Sequence, residues 1–382
     1  MRKRALVLLF AASLACSRRL ATPPVLFPVQ QSWKAVADAG LLPPLVTDGE
    51  RLFCARGDGS VEALALDGGG SLWRAAPGQG WLSAAQGALV LRREDGTVRR
   101  LDPATGATLW TTATAVAGRA PVLIEGEQVF VGGAGLVALA ASDGRLLWRA
   151  TDGADATTAP AVSGARLFVG EEDGTLRCRD RATGLTRWTL ATGSALRAPV
   201  LPNGDRLLVG TSDGRFLAVS PDKGHVRWRW KLGADVADVA VAFAEDVVLF
   251  TSYENVLYAL DRDNGHLRWR APLPSRPISA PLLIGSAAVV ACQELEVVAF
   301  DARTGRRLGA ATVPAEIRTP PVFARDRLYL GLRDRSVLAF SLDLTPSAEV
   351  KLPPGPRPTP KPVTPARGRE RDQGPLQQPQ LP

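Results

Sequence analysis

Three arginines share one register in this chain of 382 residues. Arg119, Arg197 and Arg318 each stand nine residues after a repeated position, held in turn by Trp110, Trp188 and Gly309. A guanidinium is a planar fork that takes carboxylates or phosphates two atoms at a time. Three of them at equivalent places would form a basic rim for an anionic ligand or partner segment. Paired with local acids, they would do nothing more. The other groups capable of chemistry are sparse. The only histidines are His225 and His266, in one register of successive units, which argues for a surface role rather than a shared metal. Two His and four Cys argue against a His-based zinc enzyme, a His-dependent triad and a disulfide-stapled scaffold.

The carboxylates recur in two places. Asp58, Asp95, Asp173 and Asp213 each precede a glycine, and Asp102, Asp180, Asp261 and Asp301 each stand four residues before one. Such positions belong to turns, where Asp tolerates tight backbone and Gly supplies positive φ. They are expected to be structural, so no metal and no cofactor are expected. Cys54, Cys178 and Cys292 fall at three different registers and are expected to be small buried apolar side chains.

These residues sit on a periodic frame. Trp33, Trp73, Trp110, Trp148, Trp188, Trp228 and Trp269 recur about every 40 residues, and the next step lands on Gly309 with the tryptophan lost. Each unit offers four short runs rich in Val, Leu and Phe. Ala159-Pro160, Ala165–Gly170, Asp173-Gly174, Thr175–Asp180, Thr183-Gly184 and Arg187-Trp188 make one; Ala198-Pro199 to Arg227-Trp228 repeats it. Four strands per unit of about 40 residues is the signature of a propeller blade. The last unit ends near Leu344 without an outer strand, and the first tryptophan precedes the first Ala-Pro-like segment. Residues near 30–36 are therefore expected to supply the outer strand of the eighth blade and close the ring, removing the free edge. The fold expected is an all-β, eight-bladed β-propeller of four-stranded antiparallel blades. Trp230 and Trp81 lie off register and are expected to pack in the core, Trp230 between blades.

The units resemble the PQQ-type β-propeller repeat. Tyr258-Ala259-Leu260-Asp261, Gly265 and Leu267-Arg268-Trp269 match it closely, and the resemblance covers roughly residues 30–344. Enzymes and scaffolds share this fold. The quinoprotein dehydrogenases that resemble it hold a quinone and Ca²⁺ through several converging oxygens and a catalytic Asp, often with a disulfide of adjacent cysteines. Here no two cysteines are adjacent and no blade carries a long insertion, so the chain is expected not to be an enzyme. The eight-bladed lipoproteins of the outer-membrane barrel-assembly machine, the BamB family, are the other resemblance. It implies a docking scaffold for a membrane barrel subunit. In that family a Ser-Leu-Arg-like loop and an acidic neighbour form the partner face. Carried over, these are Leu196 and Arg197 in Ser194-Ala195-Leu196-Arg197, and Asp238 with Asp235 close by.

The ends complete the picture. The net charge is +8, of which +3 lies in residues 1–15 and +3 in residues 345–382, leaving +2 for the rest. A near-neutral ring argues against a nucleic-acid surface. Arg2, Lys3 and Arg4 precede the apolar run Ala5–Leu14, too short to span a bilayer, so residues 1–15 read as a signal peptide. Ser13-Leu14-Ala15-Cys16 resembles a bacterial lipobox, except that Ser13 stands where Leu is usual. Cys16 is thus the expected lipid anchor, residues 16–29 the linker, and the periplasmic side of the outer membrane the expected location. Residues 345–382 hold 11 prolines and are expected to be a disordered basic tail. The reading is a monomeric, lipid-anchored scaffold that binds barrel-assembly proteins or another envelope protein. A generic ligand- or protein-binding propeller of the periplasm is the alternative, with a quinoprotein dehydrogenase behind it.

Overall fold

In the computed structural model, residue 27 and residues 29–232, 240–243 and 246–342 are described. Residues 1–15, Cys16, Asp235, Asp238 and the proline-rich residues 345–382 lie outside them. Among the described residues there are eight four-stranded antiparallel sheets, the blades of a propeller. In chain order, blades 1 to 7 span residues 41–75, 81–113, 123–150, 161–191, 201–231, 240–272 and 282–312. Blade 8 takes three strands from residues 322–341 and its outer strand, Gln30–Val36, from the other end of the chain.

That outer strand pairs antiparallel with Ser336–Ser341, setting Trp33 opposite Ala339 and Lys34 opposite Leu338. Lys34 also reaches Asp334 at 3.1 Å. Pairing two strands from opposite ends of the chain satisfies backbone groups that an open ring would leave on an edge.

Each strand's composition follows from its place in the blade. The second and third strands lie between neighbouring blades and are mostly apolar: Val247–Ser252 and Ala287–Cys292 are buried at every residue. The outer strands alternate instead, as in Thr186–Ala191, because one face packs and the other meets solvent. The packed face carries the repeated tryptophan. Trp188 lies 6.0 Å from Phe168 of its own blade, and its indole N–H donates to the Pro221 carbonyl of the next at 3.1 Å. The same bond to the next blade is made by Trp33, Trp73, Trp110, Trp148 and Trp228.

Each ring lies over a glycine of the neighbouring blade's turn. A Cβ on Gly184 would fall 2.5 Å from the Trp148 ring, and the backbone there has φ +74°. Glycine meets both demands, close approach and left-handed backbone. The blade 7 position, Gly309, has no such turn to cover, because the third and fourth strands of blade 8 come from opposite ends of the chain. Phe27 fills the space instead: a Cβ on Gly309 would lie 2.5 Å from its Cβ.

The turn carboxylates act as caps. Asp173 accepts from the Thr175 N–H at 2.8 Å, and Asp301 from the N–H groups of Arg303 and Thr304 at 3.0 and 2.9 Å. Cys54, Cys178 and Cys292 are free thiols buried to zero exposure. Cys178 takes the small-residue place opposite Trp188, where Ala218 stands opposite Trp228. Trp230 packs between blades 5 and 6, edge-on to Phe250 and to Tyr258 at 6.1 and 5.3 Å. Trp81 is half-buried at the start of the inner strand of blade 2.

Candidate docking face at the channel mouth

The inner strands open onto the axial channel, and their free edges face it. Blades 3, 5, 7 and 8 bring Pro121, Pro199, Pro281 and Pro320 to one cavity of about 580 Å³ at the channel mouth. Proline carries no N–H, so it suits a strand edge that nothing else covers. The residues just before these prolines form the rim of that mouth.

Arg119, Arg197 and Arg318 sit on this rim, but they do not converge. Each lines a different cavity: Arg119 one of about 650 Å³ with Trp81 and Arg93, Arg197 the axial one, and Arg318 a third of about 330 Å³. Two of the three are paired. Arg119 holds Glu94 with Nε at 2.9 Å and Nη2 at 2.8 Å. Arg197 holds Glu172 with the same fork. Both carboxylates lie in the turn between the second and third strands of the preceding blade. These pairs are exposed, and such pairs contribute on the order of 0–1 kcal/mol. They matter here as fixed charge on a face, not as stability.

Leu196 is wholly buried. Its Cβ would meet a Cβ placed on Gly170 at 2.9 Å, and its N–H donates to the Glu171 carbonyl at 3.2 Å. The side chain therefore seats the loop against blade 4 and leaves Arg197 as the exposed member of the pair. Glu171 itself is buried and clasped by Arg177 at 2.7 and 3.1 Å. His225 and His266 are exposed on the outer strands' opening turns, away from this mouth.

Two features of the rim escape the nine-residue register. Arg92 occupies the place that Gly170 and Gly210 hold in other blades, and it is fully buried with no carboxylate partner among the described residues. Its Nη2 donates to the Val116 carbonyl at 3.0 Å and its Nη1 to that of Ala120. It thereby clamps the loop that presents Arg119, and burial pushes its own pKa down to about 10. Arg276 stands two residues earlier in its loop than the shared register and lies 3.9 Å over the Tyr253 ring. Among the described residues, no group of three His, Cys, Asp or Glu stands close enough to hold a metal ion.

The family model described as outer membrane protein assembly factor BamB matches residues 94–237 and 229–343, about two thirds of the chain. The chain belongs to the BamB family. The match runs from Glu94 to beyond Arg333, so it takes in the whole rim from blade 2 to blade 8. Among solved structures, BamB from Moraxella catarrhalis is 20% identical with a TM-score of 0.69, covering 82% of this chain and all of that one. The computationally designed Ika8 protein has a TM-score of 0.73 at 17% identity, again over 82% of this chain and all of its own. Quinohemoprotein alcohol dehydrogenase from Comamonas testosteroni matches at 0.67 and 12% identity, over 82% of this chain and 76% of its own. At these identities the structural likeness speaks for the propeller, which the BamB family shares with dehydrogenases. No curated protein matches the sequence.

Proposed function

We propose that this chain is a non-catalytic scaffold of the bacterial envelope that docks outer-membrane assembly proteins through the arginine-bearing mouth of the ring. The observation that carries the reading is the BamB family match over the blades that build that mouth. A rigid ring presenting fixed charges on short loops suits docking. The loops are short and pinned by backbone bonds, and Arg197 with Glu172 offers an exposed, oriented charge pair. Asp235 and Asp238, one blade on, complete the proposed face.

The N-terminal segment supports export. Three basic residues before Ala5–Leu14 form a signal peptide in this reading, and Cys16 is acylated to anchor the ring on the periplasmic side of the outer membrane. Residues 16–29 and 345–382 act as spacers. The chain acts as a monomer and binds no nucleic acid.

A tagged pull-down from detergent-solubilised envelope tests the reading. Wild-type protein is expected to recover an outer-membrane barrel subunit, and Arg197→Glu or Asp238→Lys to lose it. Recovery unchanged in both variants would move the face elsewhere on the ring. No barrel subunit with the wild type would overturn the assembly reading.

A further inference from the structure

The rim repeats one device, and in one place the device is incomplete. Arg119 follows Glu94 at the same spacing in sequence as Arg197 follows Glu172, and each guanidinium holds that carboxylate. Arg318 follows Gln293 at that spacing too. The turn and the loop are the same, but the acid is an amide. Among the described residues, the Arg318 guanidinium makes no hydrogen bond and no ion pair.

Arg318 instead lines the cavity of about 330 Å³, together with Arg276, Tyr253, Gln293 and Glu316. The Arg276 guanidinium is parked over the Tyr253 ring and likewise has no carboxylate partner among the described residues. The acid present, Glu316, is already engaged: Arg333 binds it at 2.7 Å and the Gln293 amide donates to it at 3.4 Å. The Arg333 hydrogen bond, then that of Gln293, hold its carboxyl below the usual range, with Arg318 adding to this at longer range. Arg333 claims that carboxylate, and Arg318 feels it only at longer range. The cavity is left with two uncompensated cations. Its frame is fixed, since the Gln293 N–H donates to the Arg276 carbonyl at 2.8 Å and the Arg333 N–H to the Glu316 carbonyl at 2.8 Å.

We propose that this cavity, between blades 6 and 8, binds a carboxylate. The ligand's carboxylate takes the place that Glu94 and Glu172 fill at the equivalent arginines, bound by the fork of Arg318, with Arg276 on its tyrosine platform as the second cation. The chain itself supplies the argument for carboxylate over other anions, because that is the group its two sibling sites accept. The carboxylate comes either from a small organic acid or from an acidic side chain of a peptide.

The test is calorimetric titration of the purified chain at fixed ionic strength. The probes are succinate, an N-acetylated and C-amidated tri-glutamate peptide, and inorganic phosphate. Succinate or the peptide is expected to bind, and the tighter of the two identifies the source. Arg318→Gln is expected to weaken that binding at least ten-fold. Gln293→Glu is expected to do the same by restoring the internal pair, and it uses a residue that the equivalent turns of blades 2 and 4 already carry. Arg145→Gln, which removes one positive charge at an exposed turn on the far side of the ring, is expected to leave the affinity unchanged. Binding of neither carboxylate probe overturns the proposal. So does binding that survives both Arg318→Gln and Gln293→Glu, or phosphate binding as tightly as the better carboxylate. The measurement uses no envelope partner, so it stands or falls apart from the docking reading.

Discussion

Phe27 occupies the space that a side chain at Gly309 would fill, with its Cβ 2.5 Å from where that side chain would begin. Seven blades set a tryptophan at this place, and the remaining one borrows a phenylalanine from the far end of the chain. Covalent continuity explains the exception: the neighbouring blade lacks the glycine turn that a tryptophan would cover. The consequence lies on the other side of the same joint. Trp33, on the borrowed strand, is buried, donates to the Leu66 carbonyl at 2.8 Å and packs 5.8 Å from Tyr329. Trp33→Ala is expected to lower the unfolding free energy by about 3–5 kcal/mol, read as a lower midpoint in urea with the slope unchanged. A loss no larger than that of a surface substitution would mean that the closure is not held by this residue.

Two glycines separate conformation from crowding. Gly164 has φ +58° and open space around a Cβ, whereas Gly184 has φ +74° and the Trp148 ring 2.5 Å away. Gly164→Ala is expected to cost about 1 kcal/mol, the penalty of left-handed backbone alone. Gly184→Ala is expected to cost more, because the ring must move as well. Equal losses in chemical denaturation would show that the indole gives way freely.

Stability is expected to fall in acid over a narrow window. The Asp58 carboxyl is held at about 2, chiefly by the Ser60 hydroxyl, and that of Asp180 at about 2, chiefly by Arg187. Folded-state values below the ordinary 3.8 mean that these carboxylates favour the fold fully above about pH 4. That contribution is lost as pH falls through about 2. Asp180→Asn is expected to flatten the pH dependence of the melting temperature between pH 4 and 2 and to leave the slope above pH 5 unchanged. A slope in the acid range identical to wild type would contradict the assignment.

The three ring thiols are expected to be silent. Burial pushes Cys54 up to about 12 and Cys178 and Cys292 up to about 11. In native protein at pH 8, none of the three should react with a thiol reagent on the time scale of minutes, and all three should react after denaturation. Labelling of Cys178 in the native protein would mean that blades 4 and 5 part at their contact.

Tryptophan spacing and paired turn residues carried the propeller, because both recur at the blade period. The missing outer strand after Leu344 and the early Trp33 were enough to place the closing strand at residues 30–36, where it pairs. Phe27 was not legible as the stand-in for a tryptophan at the opposite end of the chain, since no local pattern links it to Gly309. At the rim, the register found Arg119, Arg197 and Arg318 but not what each one meets. The resemblance put Leu196 on the partner face beside Arg197, yet alternation along the loop turns its side chain into the core. Arg276 stood off register, and Arg92 broke a glycine slot whose meaning needed the neighbouring loop. The constant spacing from each rim arginine back to a Glu or Gln was present in the sequence and would have picked out Gln293.

The central claim is that the arginine-bearing mouth, not the opposite one, meets an envelope partner. Each strand reverses direction, so Glu172, between the second and third strands of blade 4, lies at that mouth. Leu185, between the third and fourth strands and highly exposed, lies at the other. A photo-cross-linking residue placed at 172 or at 185 in cells reports which end is covered. The account predicts an adduct with an outer-membrane barrel subunit from position 172 and none from 185. Adducts from 185 alone, or from neither position, would contradict it.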